Sequence, residues 1–189
     1  MKKTALFGGS FNPIHLSHIR IAKSLINKKI VDEVWLIPCK KHAFDKKLAS
    51  TKDRLEMINL MIGGMKNIKI SRIELEARGK NYTIKTLRKL NKKYPKKDFF
   101  LVVGSDILHE IKKWHRYKEL LKKAKFIVFK RKGYKLIKIL GMNIVFLLKE
   151  CRECISSTEI RKRAKEGKSL KKLVPLLIER YIKKRGIYK

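Results

Sequence analysis

Thr4 to Ile26 reads TALFGGSFNPIHLSHIRIAKSLI. An apolar run enters it, paired glycines close that run, and a helical pattern leaves it. Ile19, Ala22, Leu25 and Ile26 fall on one face at a period near 3.6, which predicts a helix after the turn. A plain strand-turn-helix needs fewer special residues than Gly8, Gly9, Ser10, Asn12, Pro13, His15 and His18. Gly8 and Gly9 let backbone N–H groups come close to a ligand, because no side chain stands in the way. Pro13 suits the first turn of the helix. His15 and His18, three apart, share the face of that turn. The positive end of the helix dipole there favours an anion. The stretch therefore predicts a phosphate site with two imidazoles aimed at it; the plainer alternative is two histidines that cap or pack a helix.

The same strand-then-helix pattern recurs outward from this stretch. Short runs rich in branched and aromatic residues stand at Val34–Ile37, Ile68–Ile70, Phe99–Val103, Phe126–Phe129 and Ile144–Leu148. Between most of them lie helical faces: Leu55, Ile58 and Ile62 with Met57 and Met61 beside them, then Ile84, Leu87 and Leu90. Strands alternating with helices predict an α/β fold with right-handed crossovers and a mainly parallel sheet. Residues 156–189 read as two helices with no strand after them, a small C-terminal helical subregion of a single domain spanning 1–189. In open parallel sheets ligands bind at the carboxyl ends of the strands. Gly8-Gly9-Ser10, Pro38 to His42, Gly104-Ser105-Asp106, Lys130-Arg131 and Ile155-Ser156-Ser157-Thr158 all follow predicted strands. Within the last of these, Ser156 and Glu159 have capping-box spacing, and Arg161 follows one turn in. The alternatives there are an ordinary capped helix and a second anion site.

Composition sets the outer bounds. No apolar run reaches the roughly 18 residues that a spanning helix needs, and the N-terminal run is too short for a signal-peptide core. A cytoplasmic protein without membrane contact is expected. The net charge of +34 comes from lysines scattered along the chain. It fits either a nucleic-acid binder or a lysine-rich solvent surface, and alone it decides nothing. Cys39, His42, Cys151 and Cys154 have spacing that a four-ligand zinc set uses; reduced thiols beside strand ends are the simpler reading. There is no Gly-x-x-x-x-Gly-Lys-Ser/Thr loop and no Gly-x-Gly-x-x-Gly fingerprint. What is present suits phosphoryl or nucleotidyl transfer, in which positioning and charge neutralisation carry the chemistry.

Gly8 to His18, GGSFNPIHLSH, resembles the His-x-Gly-His signature of the nucleotidyltransferase superfamily, and Ile155 to Arg161, ISSTEIR, resembles its second signature. ARGKNYTIKTLRKL at 77–90, FFLVVGSDILHEIKKWHRYKELL at 99–121 and LVPLLIERYIKKRGIY at 173–188 extend the likeness nearly end to end to bacterial nicotinate-nucleotide adenylyltransferases. The resemblance implies a Rossmann-like, doubly wound sheet whose residues 155–189 complete an ATP site. It implies adenylyl transfer from ATP, with Mg²⁺, to nicotinate mononucleotide, giving deamido-NAD and pyrophosphate in NAD biosynthesis. By the same resemblance, His15 and His18 would be catalytic. Gly8, Gly9, Ser10, Phe11, Gly104, Asp106, Arg131, Ser156, Ser157, Thr158 and Arg161 would bind ATP. His42, Lys46, Thr83 and Trp114 would bind the mononucleotide, Trp114 by stacking on the pyridine ring. Trp114 as a core aromatic and Thr83 as a helix N-cap are the alternatives. No residue is expected to be a resident metal ligand, and a homo-oligomer is compatible with the sequence.

Two departures from the family pattern stand out. Ser17 occupies the usual glycine position, where relatives acting on nicotinamide mononucleotide tolerate other residues. The loop that usually reads Pro-Pro-His-Lys is KKHAFDKK at 40–47. Neighbouring readings are a nicotinamide-mononucleotide or a phosphopantetheine adenylyltransferase, the latter having threonine where His15 stands. A nucleic-acid-binding protein is the reading from another class.

Overall fold

The computed structural model describes residues 1–40, 48–148 and 155–189. Its strands are β1 (Lys2–Gly9), β2 (Glu33–Pro38), β3 (Ile68–Ile70), β4 (Lys97–Gly104), β5 (Lys125–Phe129) and β6 (Ile144–Leu148). Its helices are α1 (Leu16–Asn27), α2 (Thr51–Ile62), α3 (Thr83–Lys93), α4 (Ser105–Glu110), α5 (Tyr117–Lys123), α6 (Ser157–Lys165) and α7 (Leu176–Arg185), with a 3₁₀ turn at Ile111–Lys113. The strands form one sheet in the order β3-β2-β1-β4-β5-β6, and every neighbouring pair is parallel. That is the doubly wound order expected of a Rossmann-like sheet, and it reverses direction between β1 and β4.

A parallel sheet is covered on both faces, so both sets of alternating side chains must be apolar. Ala5, Phe7, Val34, Leu36, Phe100, Val102 and Ile127 face the layer of α1, α2, α6 and α7. Leu6, Trp35, Ile37, Phe99, Leu101, Val103 and Val128 face α3, α4 and α5. The C-terminal helices share the first of these cores, through Ile160, Ile178 and Ile182. Tyr181 of α7 donates its hydroxyl hydrogen to Asp53 of α2 at 2.9 Å, which docks the two helices. No described helix is long and apolar enough to cross a membrane.

Three local expectations change. The glycines lie within β1 rather than after it, with Gly8 opposite Ile37 and Gly9 opposite Pro38. Pro13 is not in the first helical turn: His15 is extended (φ −144°, ψ 171°) and caps the helix, so α1 starts only at Leu16. The buried face of α2 is Arg54, Met57, Ile58 and Met61, with Leu55 and Ile62 only partly buried. Hydrophobic spacing left two adjacent faces open there, and packing against the sheet selected the methionines.

Candidate active site

The site is built at the carboxyl ends of β1 and β4, where the strand order reverses. Gly8 is exposed although buried residues precede it in β1. A Cβ added to Gly8 would meet nothing within 4 Å, and its φ is ordinary. The fold itself therefore does not require glycine at Gly8, and the open space above it suits a ligand. Gly9 is different: a Cβ there would come within 3.2 Å of the Phe11 ring. Phe11 is buried and adopts a left-handed backbone (φ 45°), which a bulky side chain rarely takes.

The two histidines come together. Their rings are 3.7 Å apart, centroid to centroid, and His18 also packs against Phe7 and Phe11. The backbone N–H of His15 donates to His18 Nδ1 at 3.2 Å. Since Nδ1 accepts, the neutral His18 ring carries its hydrogen on Nε2, as a donor. His15 Nδ1 is buried without a protein partner. Burial, then the positive charge of Arg131, pushes His15 down to about 3. Burial, His15 and Arg131, in that order, hold His18 well below the usual imidazole range. Both rings are neutral at pH 7.

This arrangement sets an acid limit. In the unfolded chain each histidine takes up its proton near pH 6.5, whereas folded His15 resists until about 3. The unfolded state then binds more protons, so stability falls as pH drops through that window, by about 1.4 kcal/mol per pH unit for His15. Buried Glu33 belongs to a lower window. Burial opposes its ionisation, but hydrogen bonds from Lys97, Lys2 and Thr4 outweigh this and bring it down to about 2. The thermal midpoint should already drop between pH 6.5 and 5, before carboxylates titrate. A His15→Asn variant should flatten that part of the profile; an unchanged slope would remove His15 as its cause.

Across the crevice, Asp106 Oδ2 accepts from Arg131 Nη1 at 2.6 Å, while Oδ1 is buried without a protein partner. Ser105 Oγ accepts from the Arg131 N–H at 2.9 Å and donates to the Tyr134 carbonyl, fixing the residues after β5 over α4. Asp106 thus has one oxygen without a protein hydrogen-bond partner, and the other is committed to Arg131.

The second signature folds inward upon the first. Ser156 Oγ accepts from the Glu159 N–H, as in a capping box, but the Glu159 carboxylate binds Arg163 rather than returning to the cap. Ser157 Oγ donates to the Pro13 carbonyl, and Arg161 Nη1 donates to the Asn12 carbonyl, both at 2.9 Å. Thr158 Oγ1 accepts from Arg161 Nη2. Residues expected to face phosphate alone also brace the loop of the first signature. Ser17 explains itself here, since its Oγ accepts from the Ile155 N–H at 3.1 Å, which a glycine could not do.

Tyr82 caps α3, and Thr83 is its first residue, so Thr83 is not the cap. Trp114 is half-buried at the end of the 3₁₀ turn and packs partly on the second core. The Tyr82 and His115 rings stack at 4.1 Å and bring the Thr83 and Trp114 segments together. Sequence reading passes over this pair, although each member adjoins a residue it selects. It also passes over Arg54 and Tyr188. His42 and Lys46 lie outside the described residues, as do Cys151 and Cys154 of the zinc reading. Cys39 is a free thiol whose ionisation burial opposes. Among the described residues, no three His, Cys, Asp or Glu side chains gather as a metal site.

Residues 6–163 match the model of the cytidylyltransferase-like family. A Halalkalibacterium halodurans protein named "Probable nicotinate-nucleotide adenylyltransferase" is 40% identical, covering 100% of this chain and 92% of its own. One of the same name from Bacillus pumilus is 36% identical over 100% of this chain and 99% of its own. Among solved structures, the Plasmodium falciparum nicotinic acid mononucleotide adenylyltransferase complexed with NaAD superposes with a TM-score of 0.84 at 27% identity, covering 100% of this chain and 98% of that one. The chain belongs to the cytidylyltransferase-like family, among its nicotinate-nucleotide adenylyltransferases.

Proposed function

We propose that this enzyme transfers the adenylyl group of ATP to nicotinate mononucleotide, giving deamido-NAD and pyrophosphate for NAD biosynthesis. The observation that carries the reading is the close His15–His18 pair at the start of α1, set where the strand order reverses in a chain of this family.

The acceptor's phosphate is already ionised at neutral pH, so its oxygen attacks the α-phosphorus without a general base. The bond from that phosphorus to the α,β-bridging oxygen breaks, and pyrophosphate leaves with the electron pair. The obstacle is the approach of two polyanions and the charge that builds on the transferring phosphorus. His18 Nε2–H is a fixed, neutral donor for that charge. The N–H groups of Ser10 and Phe11 offer further donors, and Gly8 leaves room for the nucleotide. Asp106 Oδ1 suits a ribose hydroxyl. The N-terminus of α6, with Thr158 and Arg161, suits the departing pyrophosphate. Mg²⁺ enters with ATP as part of the substrate. The only carboxylate among the proposed site residues already holds Arg131, so phosphate oxygens and water are its fitting ligands. Trp114 and Thr83, joined through the Tyr82–His115 stack, form the wall for the pyridine ring.

The test is pyrophosphate release from MgATP with nicotinate mononucleotide, beside nicotinamide mononucleotide and phosphopantetheine. A strong preference for the acid is expected. Preference for the amide would move the enzyme to the neighbouring specificity, and silence with all three would end the reading.

A further inference from the structure

Residues 9–13 have most of their carbonyls engaged from outside the loop. Gly9 O accepts from the Cys39 N–H at 3.0 Å, and Ser10 O from Arg54 Nη1 at 2.9 Å. Asn12 O accepts from Arg161 and Pro13 O from Ser157. The Asn12 side chain is held as well: Oδ1 accepts from the Tyr188 hydroxyl at 2.8 Å and from the Ala49 N–H at 3.0 Å. In a planar trans peptide the carbonyl of one residue and the N–H of the next point opposite ways. Drawing the Gly9 and Ser10 carbonyls toward β2 and α2 therefore turns the Ser10 and Phe11 amides away from them.

Arg54 is the centre of this arrangement. The residue is 1% exposed, and its guanidinium donates to Ala49 O, Ser10 O and Thr51 Oγ1. None of these acceptors is a carboxylate, so the three-way fork serves backbone and hydroxyl geometry rather than an ion pair. Tyr188 lies one residue from the chain end, beyond α7, and has a left-handed backbone (φ 74°). The Asp53–Tyr181 contact between α2 and α7 brings it to the loop.

We infer that Arg54 and Tyr188 are positioning residues: they clamp loop 9–13 from beneath so that its amides are presented to the phosphates of ATP. This rests on the adenylyl-transfer reading for the ligand, though the clamp itself does not depend on it. In this role each acts through the loop rather than by a contact of its own with substrate.

The experiment compares wild type, Tyr188→Phe and Arg54→Lys in two measurements. The first is amide hydrogen exchange of the segment 9–14. The second is calorimetric binding of MgATP, giving Kd and stoichiometry separately. Tyr188→Phe removes one hydroxyl, and Arg54→Lys keeps the charge but not the fork. Both should speed exchange in that segment and raise the Kd for ATP about 5- to 10-fold, with stoichiometry near wild type. A merely structural defect would lower the fraction of protein that binds and leave Kd unchanged, and that outcome overturns the proposal. Unchanged exchange in Tyr188→Phe overturns it independently. If wild type itself failed to bind ATP, the adenylyl-transfer reading would fall, and the exchange data would still decide the clamp.

Discussion

His18→Ala should lower kcat by about 10²- to 10³-fold while the KM values for ATP and the mononucleotide change only a few-fold. The magnitude is that of removing one preorganised donor from a developing oxyanion, about 2.7–4 kcal/mol. The neutral ring is held by three features: Nδ1 takes the His15 N–H, the imidazole lies against Phe7 and Phe11, and burial, ahead of His15 and Arg131, opposes protonation. Nε2–H is thus oriented before substrate arrives and costs little to align at the moment of reaction. Its contact strengthens as negative charge grows, so the loss should fall on turnover rather than affinity. Steady-state kinetics with both substrates varied is the measurement. Near-normal kcat would show that His18 only packs the start of α1.

Gly104→Ala should have the second largest effect, on stability and binding together. A Cβ there would stand 2.2 Å from Asp106 Oδ1, 2.8 Å from Arg131 Cδ and 3.1 Å from the Phe129 ring. The Asp106–Arg131 pair would have to shift, against a ring with little room to give. Overpacking of this kind costs about 1–3 kcal/mol, or roughly 2–12 °C of thermal midpoint for a domain of this size. ATP affinity should fall at least about tenfold, because both members of the pair line the crevice. Gly8→Ala is the informative contrast. With nothing within 4 Å of its Cβ, it should leave the midpoint nearly unchanged and still weaken ATP binding. If Gly8→Ala bound ATP normally, the space above β1 would not be the nucleotide's path.

Residues 41–47 of the altered loop and the Cys151–Cys154 segment lie outside the described residues. Their roles in substrate choice therefore rest on the mononucleotide comparison proposed above. Ser17, the other departure from the family pattern, is accounted for by its bond to the Ile155 N–H, which ties the two signatures together.

The sequence by itself determined the alternation of strands and helices, because both burial periods are written in neighbouring residues. It also determined that glycines, two histidines and a capped helix gather at strand ends, since spacing of three or four is local information. Only the tertiary structure decided how those groups are used. Pro13 lies ahead of the helix because His15 is extended, and Met57 and Met61 take the core face because the sheet lies on that side. Arg54 reaches Ser10, Arg161 reaches Asn12, and Tyr188 reaches Asn12 across 44, 149 and 176 residues of chain. No local pattern encodes such pairs. A hydrogen bond depends on where two atoms meet in space, and the folded sheet alone brings these ends of the chain within 3 Å.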